Sequence, residues 1–147
     1  MLSMKAKYGL RAVSALARNP GTGPVLIADL AAAEQIPRKF LELILLDLKR
    51  KGILQSKKGK GGGYNLSRAS SMISVGEIIR ALDGPLALLP CVSQTAYSRC
   101  EECVDEYTCG IRHVMKEVRD ATATILDGTT LEDLVARGNR MLESGAP

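Results

Sequence analysis

Ile53-Leu54-Gln55-Ser56 and Tyr64-Asn65-Leu66, two short strand-like runs, flank Lys57-Lys58-Gly59-Lys60-Gly61-Gly62-Gly63. No other segment constrains the fold as much, because two such runs joined by a glycine-rich turn read as a β-hairpin. Glycines let the chain reverse with positive backbone angles and approach a phosphate backbone closely, while Lys57, Lys58 and Lys60 supply charge. A nucleotide-binding loop does not fit these residues. The phosphate-loop pattern, ending in Gly-Lys and then serine or threonine, is absent, and Gly59-x-Gly61 is followed by Tyr64 where the dinucleotide fingerprint needs glycine.

Three helical patterns precede the hairpin. From Leu2 to Ala17, the apolar residues Leu2, Tyr8, Ala12, Val13, Leu16 and Ala17 fall mostly at helical spacing, with Lys5, Lys7 and Arg11 between them. Asn19-Pro20-Gly21-Thr22-Gly23-Pro24 breaks the chain, and Val25 to Glu34 reads as a short second helix. A third runs from about Pro37, suited to a helix first turn because proline lacks an amide proton, to Lys51. Its buried face is Phe40, Leu41, Ile44, Leu45 and Leu48, and Gly52 stops it. Two short helices joined by a tight turn, the second opening with Arg38 and Lys39, match a helix-turn-helix whose second helix enters the major groove N-terminus first. With the hairpin as a wing, the expected DNA-contact set is Arg38, Lys39, Lys57, Lys58, Lys60, Gly61, Gly62 and Tyr64.

Charge points the same way. Residues 1–68 hold 13 basic and 4 acidic side chains, a net of +9, whereas residues 69–147 hold 7 and 12, a net of −5. A basic half favours a polyanion, since each neutralised phosphate releases condensed counterions. Aromatic residues make up only 3%, too few for the stacking platforms used on single strands, so duplex DNA is the expected partner.

In the second half, Ser74-Val75-Gly76-Glu77 has capping-box spacing and opens a fourth helix bearing Ile78, Ile79 and Leu82, which ends at Asp83-Gly84-Pro85. Leu86 to Thr108 has no sustained period and reads as a loop. Beyond it, Ile111, Val114, Val118, Ala121 and Ile125 follow a 3, 4, 3, 4 spacing, the seam of a helix that packs against a partner helix in a second subunit or in the same chain. Thr129 and Glu132 then predict the cap of a final helix carrying Leu131, Leu134, Val135, Met141 and Leu142. The expected fold class is mainly α with a small β-hairpin wing, a winged helix-turn-helix plus a long C-terminal dimerisation helix. Residues 1–84 form the DNA-binding domain, 85–110 a cysteine loop, and 111–147 the dimerisation helix and C-terminal helix.

With no signal-peptide pattern at Met1 and no apolar run approaching a membrane span, the expected location is the cytoplasm, with no membrane partner. An enzyme is not expected: no nucleophile elbow or zinc-protease motif occurs, there is a single histidine, and no catalytic residue is nominated. Cys91, Cys100, Cys103 and Cys109 are separated by 8, 2 and 5 residues. In a cytosolic chain such a group reads as a metal site or as reactive thiols rather than structural disulfides. Zinc modules usually show two short-spaced pairs, and here only Cys100-x-x-Cys103 is one; irregularly spaced thiolates around a larger inorganic unit suit an iron–sulfur cluster. Zinc and redox thiols without a metal stay open.

The segments 8–17 (YGLRAVSALA), 27–54 (IADLAAAEQIPRKFLELILLDLKRKGIL) and 59–84 (GKGGGYNLSRASSMISVGEIIRALDG), followed by CGIRHVMKEV at Cys109 and TLEDLV at Thr130, resemble the Rrf-type family of bacterial winged-helix regulators in the family's order. The glycine-rich wing with its following LSR and VGEII is the most specific part. The resemblance implies a homodimer, paired through the long helix, that binds a palindromic duplex operator. It further implies a DNA-binding transcription regulator, repression being favoured over activation, that senses iron–sulfur or redox status through a cluster, 2Fe–2S before 4Fe–4S. Cluster-bearing relatives use three cysteines, the last two five residues apart, which maps onto Cys91, Cys103 and Cys109. Some add a histidine three residues after the last cysteine, where this chain has Arg112, with His113 one further on. Others borrow a carboxylate from the partner's first helix, and no Asp or Glu precedes Asp29 here. Cys100 is therefore the expected fourth ligand. The competing readings are a cofactor-free or zinc-bound thiol switch and, in a different class, a cytosolic cluster carrier or electron-transfer protein.

Overall fold

A computed structural model describes residues 1–145. The elements, in chain order, are α1 (Met4–Arg18), α2 (Ile27–Glu34), α3 (Arg38–Arg50), β1 (Leu54–Lys57), β2 (Gly63–Leu66), α4 (Val75–Asp83), α5 (Gly110–Asp127) and α6 (Leu131–Ser144). Short 3-10 turns lie at Ser70–Met72 and Pro90–Val92.

The start of α1 is set by Ser3, whose hydroxyl accepts from the Ala6 amide at 3.0 Å, so the helix opens two residues later than the apolar pattern suggests. Ser3 also donates its amide to Asp83 at 3.0 Å, tying this end to the last residue of α4. Midway along α1, Gly9 faces Leu82, and a Cβ there would collide with that side chain; the missing side chain is what lets α4 approach so closely. α2 ends on Gln35 in the left-handed conformation (φ 53°), and the following Ile36 amide donates back to Ala31 at 3.0 Å. That reversal buries Ile36 and aims α3 across α1 and α4.

One face of α3, formed by Leu41, Ile44, Leu45 and Leu48, is fully buried. Phe40 is only half-buried and meets Tyr8 edge-to-face, with ring centroids 5.6 Å apart. The core continues through Ala12 and Val13 of α1, Ile53, Ile73, Ile78 and, from the far end of the chain, Leu131. α6 thus returns to pack on α1 rather than standing apart.

β1 and β2 pair antiparallel with Leu54 opposite Leu66 and Lys57 opposite Gly63. Val25 does not open the second helix, as its sequence pattern suggests. It forms a bridge to Tyr64, with amide–carbonyl bonds of 2.8 Å in both directions, and so anchors the wing to the body; α2 begins only at Ile27. Pro37 likewise precedes α3 instead of occupying its first turn. The cap of α6 is one residue later than expected: Thr130 and Asp133 form the reciprocal capping box. Thr129 is buried and otherwise engaged, its hydroxyl donating to the Ile125 carbonyl at 2.7 Å and its carbonyl accepting from the Val75 amide at 2.9 Å.

Gly63 sits where wing and body meet, at φ +139°, and a Cβ would strike the Val25 carbonyl. Gly61 also has positive φ (+75°) but open space around it. Gly63→Ala should therefore lower stability by about 2–3 kcal/mol in urea unfolding, adding a backbone collision to the strain, whereas Gly61→Ala should cost only about 1–2 kcal/mol. Equal losses would mean that the Val25–Tyr64 bridge does not hold the wing.

Candidate DNA-contact face and cysteine pocket

Burial of one side of α3 leaves the opposite side to solvent. Arg38 and Lys39 at its N-terminus are exposed, and Arg38 Nε lies 3.4 Å from the Glu42 carboxylate one turn on. Leu43 is 61% exposed on the same outward surface. The residues expected from the sequence to meet DNA include neither Glu42 nor Leu43, although each is four residues from Arg38 or Lys39, the spacing that stacks side chains on one helix face. A carboxylate can accept from the cytosine amino group and an aliphatic side chain can meet a thymine methyl, so this surface offers more than positive charge.

In the wing, Lys57, Lys58 and Lys60 are exposed. Gly59 and Gly61 adopt positive φ (86° and 75°). Gly62 has a different place: it is buried, and its amide donates to the Gly59 carbonyl at 3.0 Å, closing the turn. Tyr64 is also tied inward, its backbone on Val25 and its side chain packed against the core. The wing therefore presents its lysines and Gly61 outward and holds its shape with Gly62, Gly63 and Tyr64.

The second cluster lies at the N-terminus of α5. Cys91, Cys100, Cys103 and Cys109 line a single cavity of about 470 Å³, together with Leu89, Ile111 and Arg112. Each cysteine is placed by its own local device. Cys91 sits on the Pro90–Val92 turn and is 4% exposed. Cys100 and Cys103 bracket a tight turn closed by the Cys103 amide on the Cys100 carbonyl at 3.2 Å. Cys109 caps α5, its Sγ accepting from the Arg112 amide at 3.4 Å. Burial pushes the Cys91 thiol above the usual thiol range, and the adjacent Cys100 adds to this; Arg112 acts in the opposite sense. Arg99 donates to the carbonyls of Cys103 and Val104 at 3.1 and 3.3 Å, fixing the far rim.

No three His, Cys, Asp or Glu side chains among the described residues converge on one point as the ligands of a single ion would. The thiols instead line the cavity, with no disulfide among them. Glu102 and Asp105 share the lining, an oxygen-donor presence not singled out from the sequence. The Asp105 carboxylate is engaged by the Tyr107 amide at 3.0 Å and the Thr108 hydroxyl at 2.9 Å, which hold it below the ordinary carboxylate range. His113 lies outside the lining, on the exposed side of α5, with Nε2 3.6 Å from Glu117.

Two arginines join this pocket to the rest. Arg119 of α5, its side chain only 12% exposed, donates to the Val92 carbonyl at 2.7 Å and so clamps the Cys91 turn onto the helix. Arg80 of α4 makes a two-pronged pair with Asp127 at the other end of α5, at 2.7 and 2.8 Å, and each partner shifts the other toward its charged form.

Residues 2–137 match the family model of Rrf2, described as an iron-dependent transcriptional regulator. The chain is 42% identical over 142 residues to an rrf2-like HTH-type transcriptional regulator of Rhodobacter capsulatus, covering 95% of each. It superposes on the structure of CymR, the global cysteine regulator of B. subtilis, with a TM-score of 0.76 and 31% identity over 93% of this chain and 97% of that one. The IscR of T. potens gives a TM-score of 0.74 at 28% identity, over 94% and 88%. Among the described residues no helix is long and apolar enough to cross a membrane.

The exposed wing lysines yield a direct expectation. Replacing Lys57, Lys58 and Lys60 together with alanine should weaken duplex binding about equally on all sequences and flatten the dependence of log affinity on log salt by roughly 0.9 for each phosphate no longer neutralised. Fluorescence anisotropy across a salt series measures both. An unchanged slope would exclude a wing that tracks the backbone.

Proposed function

This chain belongs to the Rrf2 family of transcriptional regulators, which are not enzymes, and on that premise we propose that it is a homodimeric, DNA-binding repressor whose operator affinity is governed by an iron–sulfur cluster held by Cys91, Cys100, Cys103 and Cys109. The observation that carries this reading is the convergence of all four cysteines on one cavity. Family membership alone does not choose a cofactor, since IscR and CymR are both structural neighbours and CymR is described as a cysteine regulator.

The donor set fits such a group. Four soft sulfur donors suit iron with bridging sulfide, and their arrangement around a cavity suits a unit larger than one ion. Cys100 completes the set beside Cys91, while Arg112 has no lone pair to offer and His113 lies outside the pocket. When bound, the cluster supplies a metal–sulfur unit that oxidants and iron limitation can dismantle. The chain's residues carry the consequence. Arg119 links the Cys91 turn to α5, and Asp127 links α5 through Arg80 to α4, which packs on α1 and α3. Ordering or releasing the cysteine loop therefore acts on both α5 and the DNA-contact body, and a differential of about 1–3 kcal/mol between two dimer states suffices for regulation.

Dimerisation through α5 is supported by its uncovered stripe. Ile111, Val114, Val118 and Ile125 are 67%, 52%, 39% and 64% exposed, so the chain itself leaves open the seam that their spacing describes. Two such stripes together bury one another, bring two α3 helices to one duplex, and match a palindromic site.

Two experiments test the proposal. Protein purified without oxygen from iron-replete cells should contain iron and sulfide and show a visible charge-transfer spectrum. Cys91→Ser, Cys103→Ser and Cys109→Ser should each abolish that spectrum, Cys100→Ser should shift it or make it labile, and His113→Ala should leave it intact. Zinc alone in the wild-type protein would rule out the cluster. Separately, Val118→Asp places an unpaired charge in the seam and should reduce the sedimenting species to a monomer or an aggregate. A full-affinity dimer would move the interface off α5.

A further inference from the structure

Arg112 lies in the first turn of α5 and lines the cysteine cavity. Its Nε is the one buried side-chain nitrogen or oxygen among the described residues that has no hydrogen-bond partner. Buried donors are almost always satisfied, and one left alone costs the desolvation of that group, most of all when it is charged. The carboxylates that share the cavity do not relieve it: Asp105 is engaged by Tyr107 and Thr108, and among the described residues no ion pair joins Arg112 to Glu102. The same residue touches the sulfur side of the pocket through its backbone, its amide donating to Cys109 Sγ at 3.4 Å.

A permanently cationic side chain lining the same pocket as four thiols suits an anion there. We propose that Arg112 is the counter-charge and hydrogen-bond donor to the sulfurs of the cluster bound in this pocket, a tuning residue and not a ligand. The inference rests on the cluster reading and adds the role of a residue that cannot coordinate iron. An iron–sulfur unit held only by thiolates is anionic, and reduction adds a further electron to it. A guanidinium at the pocket wall offsets that charge, and its N–H bonds to sulfur favour the reduced form, so the reduction potential rises. Without the group, the same Nε is a donor with nothing to receive it, so Arg112 weakens the empty protein while it strengthens the loaded one.

That two-sided effect separates tuning from plain structure. Arg112→Met keeps length and apolar bulk but removes charge and donors; Arg112→Lys keeps the charge without the planar donor edge. In the metal-free, reduced full-length chain, Arg112→Met should melt at a higher temperature than wild type. In the anaerobically reconstituted protein, it should lower the midpoint potential in a spectroelectrochemical titration and shorten cluster survival against a ferrous chelator by roughly tenfold or more. Arg112→Lys should recover part of the potential. A metal-free Arg112→Met protein that melts lower than wild type, or a loaded one with unchanged potential and lifetime, overturns the role of Arg112 while leaving the cluster standing. A wild-type protein that takes up no iron and sulfide under reconstitution overturns the cluster reading, and the role of Arg112 with it.

Discussion

Burial of a single face of α3 is the constraint from which the other features follow. Leu41, Ile44, Leu45 and Leu48 are removed from water completely, and each such side chain contributes about 1.5–3 kcal/mol relative to exposure. Because an amphipathic helix hides only one side in this way, the same packing holds Arg38, Lys39, Glu42 and Leu43 outward. The buried face stabilises the fold, and the opposite face of the same element is the surface proposed to meet DNA. The neighbours serve this placement: Gly9 lets α1 and α4 close up, Gln35 turns the chain into α3, and the wing is pinned to the body by Val25.

The cysteine pocket is built on the contrary principle. Leu86 to Thr108 contributes little to the core, with Cys91, Val92 and Ser93 the only buried residues of that span, and is held by point contacts such as Arg99 on Cys103 and Arg119 on Val92. A segment with few buried apolar contacts is of low local stability, so a bound group can change its order at small cost to the rest. Its attachment to α5 at one end and the Arg80–Asp127 pair at the other tie α5 to three things: the pocket, the uncovered apolar stripe and the body that carries α3 and the wing. A partly exposed ion pair of this kind contributes little to stability, which suits a joint better than a buried one would.

Much was legible in the chain because local chemistry decides it. The period of the apolar residues in α3, the glycine-rich turn of the wing, the Ser74 cap of α4 and the apolar stripe of α5 are all set within a few residues of themselves. Where local reading and structure differ, a distant partner intervenes. Val25 has helical neighbours but is claimed by Tyr64, and Thr129 has the spacing of a cap but is claimed by Val75 and Ile125, so the cap passes to Thr130. Gly62 and Tyr64, nominated with the wing for DNA contact, turn out to have inward tasks: one closes the turn, the other binds the wing to the body.

By itself the sequence determined the elements, the charge asymmetry and the presence of four thiols, since propensity, periodicity and composition do not depend on where the chain goes next. Tertiary structure alone decided which groups face one another: that spacings of 8, 2 and 5 residues close on a single cavity, that Glu102 and Asp105 share its wall, and that Leu131 belongs to the core of the N-terminal unit. The unpartnered state of Arg112 Nε belongs to that second kind. Burial and the lack of a partner are properties of all the surrounding atoms, and no stretch of neighbouring residues encodes them.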